Sequence, residues 1–203
     1  MKKTVCRRTI TMNELMKIIT ERRSYRKYKP EQISKEELDT IMLAGAYAPS
    51  AGGRQSPVFV ACRNAELNEE IGRLNVEILK EVQAELNKSN DPKNRLEPPK
   101  FNSAFYGAPT VVTLFAPKGW ANFTVDCCVA AQNMALMAHA LGIGSCIIAR
   151  APEVFATKRG LELQHEWGLD DTYDAKLHLL LGYPDEATAE APPRRDGQVI
   201  VIE

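Results

Sequence analysis

Apolar residues recur at intervals of three and four along the first half of the chain, a pattern that predicts amphipathic helices. The first helix is expected over about Met12–Arg22, after a capping-box pattern at Thr11–Glu14. A second capping signal at Ser34 predicts another helix, which Pro49 ends. Residues 67–86 repeat the spacing over a longer stretch and predict a third helix.

Short apolar runs that follow turn residues predict buried strands. These runs are Val58–Cys62, Val111–Ala116, Ser145–Ala149 and Leu177–Gly182. Between the second and the third lies Asp126–Leu141, a mostly apolar stretch that we expect to form a helix buried all round. Strands and helices in this order argue for a layered α/β or α+β domain.

Two polar, proline-rich segments interrupt this pattern. Residues 88–100 form a connection of the length typical of a lid, a binding loop or a disordered segment. Residues 184–198 form an arm that leads to an apolar strand, Val199–Ile202, which needs a sheet to join. We interpret residues 1–203 as a single domain, with a loop at about 88–100 and a C-terminal arm at about 184–203.

Composition limits the classes of function. The 203 residues are 44% hydrophobic and carry a formal net charge of zero, so the strongly basic face of a nucleic-acid-binding protein is not expected. No apolar stretch reaches the roughly eighteen residues that span a bilayer, and the basic amino terminus runs into no signal-peptide core. We therefore expect a cytoplasmic protein with no nucleic-acid or membrane partner.

The cysteines and histidines give no sign of a metal or disulfide framework. The five cysteines are odd in number and include no CxxC pair. Cys127 and Cys128 lie in the apolar helix, where cysteine usually packs as a small hydrophobe, and a redox role is the alternative. The three histidines lack the spacing of a zinc site, so no metal is expected.

The segment Glu21–Pro30 concentrates five cations around Ser24. Clustered guanidinium groups suit a phosphate, because each planar fork donates two parallel hydrogen bonds and stays charged. The alternative is a solvated helix terminus, whose cations complement the helix dipole. A second segment, Ala48–Pro57, combines prolines, serines, two glycines and a glutamine, and by itself would also suit a plain turn. The two segments together favour a ligand site.

These two segments resemble the nitroreductase family, as do Asn102–Pro109, Asp126–Ala149, Leu181–Pro184 and Pro193–Arg195. The resemblance covers nearly the whole chain and rests on the order and spacing of short motifs. It implies an α+β layered fold in which helices flank a central, mostly antiparallel sheet. It also implies an intertwined homodimer that holds flavin mononucleotide (FMN) between its subunits, with the terminal strand joined to the partner's sheet.

The resemblance assigns the phosphate and ribityl end of FMN to Arg22, Ser24 and Arg26, and the ring edge to Arg23. Arg195, with Arg194, would approach the same phosphate from the carboxyl end of the chain. A solvated loop pair is the alternative for these last two arginines, because exposed cations usually contribute little.

Other segments are assigned to the flavin ring. The resemblance implies that the FMN of the partner is reached by Pro49, Ser50 and Ala51, and that Gln55 supplies neutral donors and acceptors. It also implies that Asn102 forms hydrogen bonds with the pyrimidine edge. One face of the ring would pack against the strand residues Ile147, Ile148 and Ala149. One departure removes an aromatic near the pocket. The family's usual Gln-Pro-Trp is Gln55-Ser56-Pro57 here, and Gly53 stands where an asparagine is common.

No nucleophile or acid–base constellation is recognisable, which fits an enzyme whose cofactor carries the chemistry. The resemblance implies an oxidoreductase that passes hydride from NAD(P)H through FMN to nitroaromatics, quinones or related small electrophilic acceptors, by a ping-pong mechanism. Within the same fold the alternative is a specialised flavin enzyme, such as an enone reductase, a dehalogenase or a flavin-consuming relative. A non-enzymatic basic module that binds RNA or an acidic partner is the alternative from another class.

Overall fold

Four antiparallel strands form the central sheet of the chain in a computed structural model, which describes residues 13–89, 91–92 and 95–202. The strands are β1 (Val58–Cys62), β2 (Thr110–Pro117), β3 (Gly144–Ile148) and β4 (Tyr173–Gly182), in the spatial order β1-β2-β4-β3. The four buried strands predicted between residues 58 and 182 are present, and the sheet is antiparallel throughout. The predicted α+β architecture is thereby confirmed.

Within the described residues, six α-helices surround the sheet: α1 (Glu14–Glu21), α2 (Lys35–Ala46), α3 (Ala65–Ser89), α4 (Asn122–Ala140), α5 (Ala151–Phe155) and α6 (Lys158–Glu166). The capping box at the start of α2 is confirmed, because Ser34 Oγ accepts from the Glu37 N–H and the Glu37 carboxylate accepts from the Ser34 N–H. Asn13 caps α1 by accepting from the Met16 N–H. The capping residue and first residue predicted for α1, Thr11 and Met12, lie outside the described part of the chain.

The two faces of the sheet bury separate hydrophobic cores. Side chains of successive strand residues point to opposite faces, so Leu179 packs towards α2 and α4 while Leu180 packs towards α3, α5 and α6. Gly45 lets α2 approach α4 closely, because a Cβ at this position would lie 2.1 Å from the Met134 methyl group. The first core therefore fixes the position of α4, whose amino-terminal turn borders the candidate site.

Two expectations about the helices were wrong. Helix α4 begins at Asn122 rather than Asp126, and the predicted stretch is not buried all round: Cys128 and Gln132 are exposed, because the sheet and α2 cover one side of the helix. Helices α5 and α6 were not predicted, since the first is only five residues long and the second is polar. The N-cap of α6 was readable in principle, because Thr157 Oγ1 accepts from the Gly160 N–H.

The two proline-rich segments lie outside the sheet of the single chain, and the pairing of the terminal strand with a partner's sheet stays a prediction. Helix α3 continues to Ser89, and the Asn87 amide bonds both backbone groups of Leu96, so part of the 88–100 loop folds back on the helix. Residues Val199–Ile202 are exposed and form no strand, because no sheet edge of the same chain lies against them. None of the described helices is long and apolar enough to cross a bilayer.

Candidate functional site

The basic segment runs beside β3, held there by backbone hydrogen bonds. The Tyr25 N–H donates to the Ser145 carbonyl at 3.0 Å, and Ser24 and Ser145 form a parallel β-bridge. Gly144 permits this approach, since a Cβ there would lie 3.0 Å from the Tyr25 ring. Because the backbone makes these bonds, the side chains on either side of Tyr25 remain available for a ligand.

Arg22, Ser24 and Arg26 gather around the buried thiol of Cys146. Burial raises the pKa of this thiol, and the positive charge of Arg26, a hydrogen bond from Ser24 and the positive charge of Arg22 oppose the rise. Among the residues that the structure describes, neither Arg22 nor Arg26 forms an ion pair with a carboxylate. Two unpaired guanidinium groups beside a hydroxyl have the donors and the charge that bind a phosphate.

Arg23 has a different environment from its neighbours. Its Nη1 donates to the carbonyls of Thr20 and Arg22, and its Nε donates to the Ala189 carbonyl at 3.1 Å. The Tyr25 and Thr188 hydroxyls also share a hydrogen bond. The guanidinium group of Arg23 thus anchors the C-terminal arm next to the basic segment.

The two arginines at the end of the arm lie apart from this anchor point. Arg194 donates to the Pro192 carbonyl at 2.9 Å, and Arg195 is exposed. The structure gives them contacts on the arm itself, while the arm's bonds to the basic segment come from residues 185–189.

Alternation along β3 exposes residues on the strand face opposite to Cys146, the residue that the arginines surround. Ile147 is 39% exposed and Ala149 is exposed, whereas Ile148 between them is buried in the core. Asn102 is exposed in the segment before β2. Tyr106 of that segment has a positive φ of 53° and lies with its ring 5.9 Å from the Arg26 guanidinium, a neighbour that the sequence did not indicate.

We call this assembly of residues 22–26, Asn102 and residues 147–149 the basic half-site. Its members come from three separate stretches of sequence, and the fold brings the first and last together through the bonds to β3. It presents cations at one end and an apolar exposed surface at Ile147 next to them.

A second group of predicted residues is organised around one carboxylate on α4. Asp126 is 4% exposed; its Oδ1 accepts from the Ala51 N–H at 3.0 Å and its Oδ2 accepts from the Ser56 hydroxyl at 2.9 Å. Ser50 Oγ accepts from the Gln55 N–H at 2.8 Å. We call residues 49–55 together with Asp126 the loop half-site.

The loop half-site requires unusual backbone angles. Gly52, Gly53 and Gln55 have φ values of 63°, 65° and 49°, in the left-handed region that glycine adopts without strain. The loop encloses a cavity of about 210 Å³ against Phe59 and α4. Sequence analysis missed Asp126 as an organiser, although a lone carboxylate near the start of an otherwise apolar helix was a visible signal.

A profile described as the nitroreductase family matches residues 19–183, well over half of the chain. The chain belongs to the nitroreductase family. A solved nitroreductase with bound FMN from Desulfitobacterium hafniense is 29% identical with a TM-score of 0.80, covering 95% of this chain and 100% of that one. A nitroreductase with bound FMN from Bacteroides fragilis is also 29% identical, with a TM-score of 0.77 and the same coverage.

A curated relative from Archaeoglobus fulgidus is 28% identical over 177 residues, which are 86% of this chain and 88% of the relative. It carries a provisional name as an NADH dehydrogenase/NAD(P)H nitroreductase. The nitroreductase-family match includes both half-sites and ends at Tyr183, so Arg194 and Arg195 lie beyond it. Their assignment therefore has less support than that of Arg22 or Ser50.

Proposed function

We propose that this nitroreductase-family chain is an FMN-dependent oxidoreductase that passes hydride from NAD(P)H to nitroaromatic, quinone or related small electrophilic acceptors. The observation that carries the proposal is the basic half-site, where Arg22 and Arg26 flank Ser24 beside β3 and form no ion pair with any carboxylate that the structure describes. Bound FMN in two solved relatives supports the identity of the cofactor.

The residues of the basic half-site fit the three parts of FMN. Arg22, Ser24 and Arg26 bind the phosphate and the ribityl chain, with Arg23 at the ring edge. Ile147, Ile148 and Ala149 provide an apolar strand surface and a backbone N–H for one face of the ring. Asn102 bonds the pyrimidine edge, and Arg194 and Arg195 add positive charge from the arm. When bound, FMN supplies the capacity to accept and donate hydride.

The loop half-site would serve the flavin of a second subunit. Pro49, Ser50 and Ala51 would approach that ring, with Gln55 as a neutral hydrogen-bonding group. Charged groups here would alter the redox properties of the ring, whereas an amide and a hydroxyl orient it without adding charge. Asp126 sits below the loop with both oxygens engaged by loop donors.

A homodimer with two flavins at its interface follows from this division. Apolar side chains exposed in the single chain support it: Leu15, Met16 and Ile19 on α1, Leu43 on α2, Val125 on α4, and Val199–Ile202 on the arm. An intertwined interface of this kind usually buries more than about 2,000 Å². Light scattering of the purified protein should give the dimer mass at micromolar concentration, and a folded FMN-bound monomer would contradict the proposal.

The reaction is proposed to be ping-pong, with donor and acceptor occupying the same open ring face in turn. Anaerobic mixing with NADH or NADPH should bleach the flavin absorbance, and menadione or a nitroaromatic added afterwards should restore it. Initial-rate lines at several fixed acceptor concentrations should run parallel. Converging lines would indicate a ternary complex, and a flavin that neither nicotinamide reduces would contradict the proposed donor.

A further inference from the structure

We propose that Arg54 and Trp120 select the acceptor, favouring planar aromatic acceptors that carry an anionic substituent such as a carboxylate. The inference deepens the proposed function and rests on it. Arg54 binds the anionic group, and Trp120 is a positioning residue that holds the guanidinium in place. Neither residue belongs to the basic half-site, and Trp120 lies in the short connection between β2 and α4.

The pair has a defined geometry. The guanidinium carbon of Arg54 lies 4.8 Å from the centroid of the Trp120 ring, within the range of a cation–π interaction. Phe123 contacts the same indole edge-on, with ring centroids 5.2 Å apart and an interplanar angle of 86°. The indole therefore has support from α4 while 40% of its surface remains exposed.

The positive charge of Arg54 is not neutralised within the described part of the chain. No described carboxylate forms an ion pair with it, and its Nη1 reaches only the Ala51 carbonyl, at a long 3.5 Å. Two other charged groups of this region already have partners. Asp126 accepts two loop hydrogen bonds, and Lys118 pairs with Asp174 at 3.7 Å.

The position of the pair connects it to the flavin-facing loop. A hollow of about 370 Å³ is lined by Pro49, Ser50 and Ala51 on the loop and by Asn122, Val125, Asp126 and Val129 on α4, and the Asp126 carboxylate already accepts two loop hydrogen bonds. Ala51 is the residue whose carbonyl Arg54 contacts, and Asn122 follows Trp120 by two positions. Arg54 and Trp120 thus neighbour residues that line the hollow, and we infer that a planar ring over its valines would present a substituent to the guanidinium.

The departure at Gln55-Ser56-Pro57 gives Trp120 its significance. This segment lacks the aromatic that the family resemblance leads one to expect, and the fold supplies an indole next to the same loop from a different stretch of chain. The guanidinium group of Arg54 lies over the face of this indole. Aromatic surface next to an unpaired cation is complementary to an aromatic carboxylate.

The test compares 4-nitrobenzoate with its neutral isostere 4-nitrobenzamide, using the FMN-loaded full-length protein. We expect Arg54→Gln to lower the ratio of the two kcat/KM values, anionic over neutral, by about tenfold. Arg54→Lys should retain part of the preference, and Trp120→Leu should lower it because the guanidinium loses its platform. Arg73→Gln, which removes an exposed arginine on α3, should leave the ratio unchanged.

A binding measurement makes the test independent of turnover. Ligand-observed NMR titrations with the same two compounds should show tighter binding of 4-nitrobenzoate to wild type than to Arg54→Gln, with no difference for Arg73→Gln. If wild type and Arg54→Gln both reduce the two compounds and have the same ratio of kcat/KM values, the inference is overturned. The proposed function is unaffected by that result. A protein that holds no flavin would contradict the proposed function, and the titrations would then test the inference alone. Equal affinities of wild type and Arg54→Gln for 4-nitrobenzoate would overturn the inference. Weaker binding to Arg54→Gln would support it.

Discussion

The two half-sites are held in place by different means. The basic half-site is aligned by main-chain bonds, since the Tyr25 N–H and the Ser145 carbonyl bring the segment against β3. The loop half-site has no strand to pair with, and its shape depends on the side chain of Asp126. One half-site is aligned by main-chain bonds to a strand, while the other is held by its own turn and by two side-chain acceptors, the Asp126 carboxylate and the Ser50 hydroxyl.

This difference follows from what each half-site presents. A phosphate needs several side chains at once, and main-chain anchoring leaves the Arg22 and Arg26 guanidinium groups without ion-pair partners among the described residues. A flat ring needs a close approach of backbone, which here uses left-handed residues at Gly52 and Gly53. Such a turn leaves N–H groups unpaired, and a buried carboxylate satisfies one of them. Substitutions should therefore damage the two half-sites in different ways.

The largest effect is expected from Asp126→Ala. It removes two charge-assisted hydrogen bonds, each worth about 1.5 to 3 kcal/mol, and leaves a buried N–H and hydroxyl unpaired. We expect the free energy of unfolding in urea to fall by about 3 kcal/mol or more. Asp126→Asn is the matched control, because its amide can accept from the Ala51 N–H and donate to Ser56 Oγ. An equal loss in both variants would mean that charge rather than hydrogen bonding holds the loop.

The basic half-site should respond in ligand affinity rather than in folding. Arg22→Ala removes a charge-assisted bond worth about 1.5 to 3 kcal/mol, so FMN affinity should fall about ten- to a hundredfold, with a smaller change in urea stability. Fluorescence titration of the apo-protein measures it. Arg195→Ala, made in parallel, tests the arm in the same way. Unchanged affinity in both variants would contradict the phosphate assignment.

Acid pH provides a third comparison, because a buried histidine lies directly behind β3. His178 pairs with Ile148 across the strands, its Nδ1 bonds the Thr113 hydroxyl, and burial lowers its pKa from 6.5 to about 3. Below pH 6.5 the imidazole is protonated in the unfolded chain but stays neutral in the folded chain. The contribution of His178 to the free energy of unfolding is therefore fully present above pH 6.5 and is lost as the pH falls towards 3. Between pH 7 and 5 the loss should be about 2 kcal/mol.

The pH effect is measured as a difference in slope. Urea unfolding at pH 7 and pH 5 should show that the free energy of unfolding falls more for wild type than for His178→Leu between these two pH values. The comparison holds whatever the absolute stability of the variant. Parallel slopes would mean that His178 is protonated in the folded chain or reached by water.

The sequence predicted most of this arrangement but not its anchors. Apolar runs located all four strands because a buried strand needs a continuous hydrophobic stretch, and Ser34 located α2 because its cap is local. The bond between Asp126 and Ala51 joins residues 75 positions apart, and the approach of Trp120 to Arg54 depends on where two connections meet. Contacts of that range arise from packing, which periodicity does not describe.

Recognition of family motifs supplied what local physics could not. Taken alone, the basic residues at 22–26 fit a solvated helix end better than a phosphate site, and the order of the segments along the chain reverses that preference. By contrast, the exposed side of α4 was missed because an apolar helix and an interface helix have the same composition in a single sequence. The exposed side of α4 is defined by its packing, because the sheet and α2 cover only the other side of the helix.

The smallest predicted effect concerns Gly53, where a substitution tests how much the left-handed backbone angle contributes to the stability of the loop half-site. Its φ is 65°, and a Cβ added there would meet nothing within 4 Å, so steric clash plays no part. Gly53→Ala should cost about 1 kcal/mol in urea unfolding, because a residue with a Cβ is strained in the left-handed region. Gly53→Asn should cost less, since asparagine tolerates this region through local hydrogen bonds. Equal losses for alanine and asparagine would show that the added side chain itself, rather than the backbone angle, disturbs the loop over Asp126.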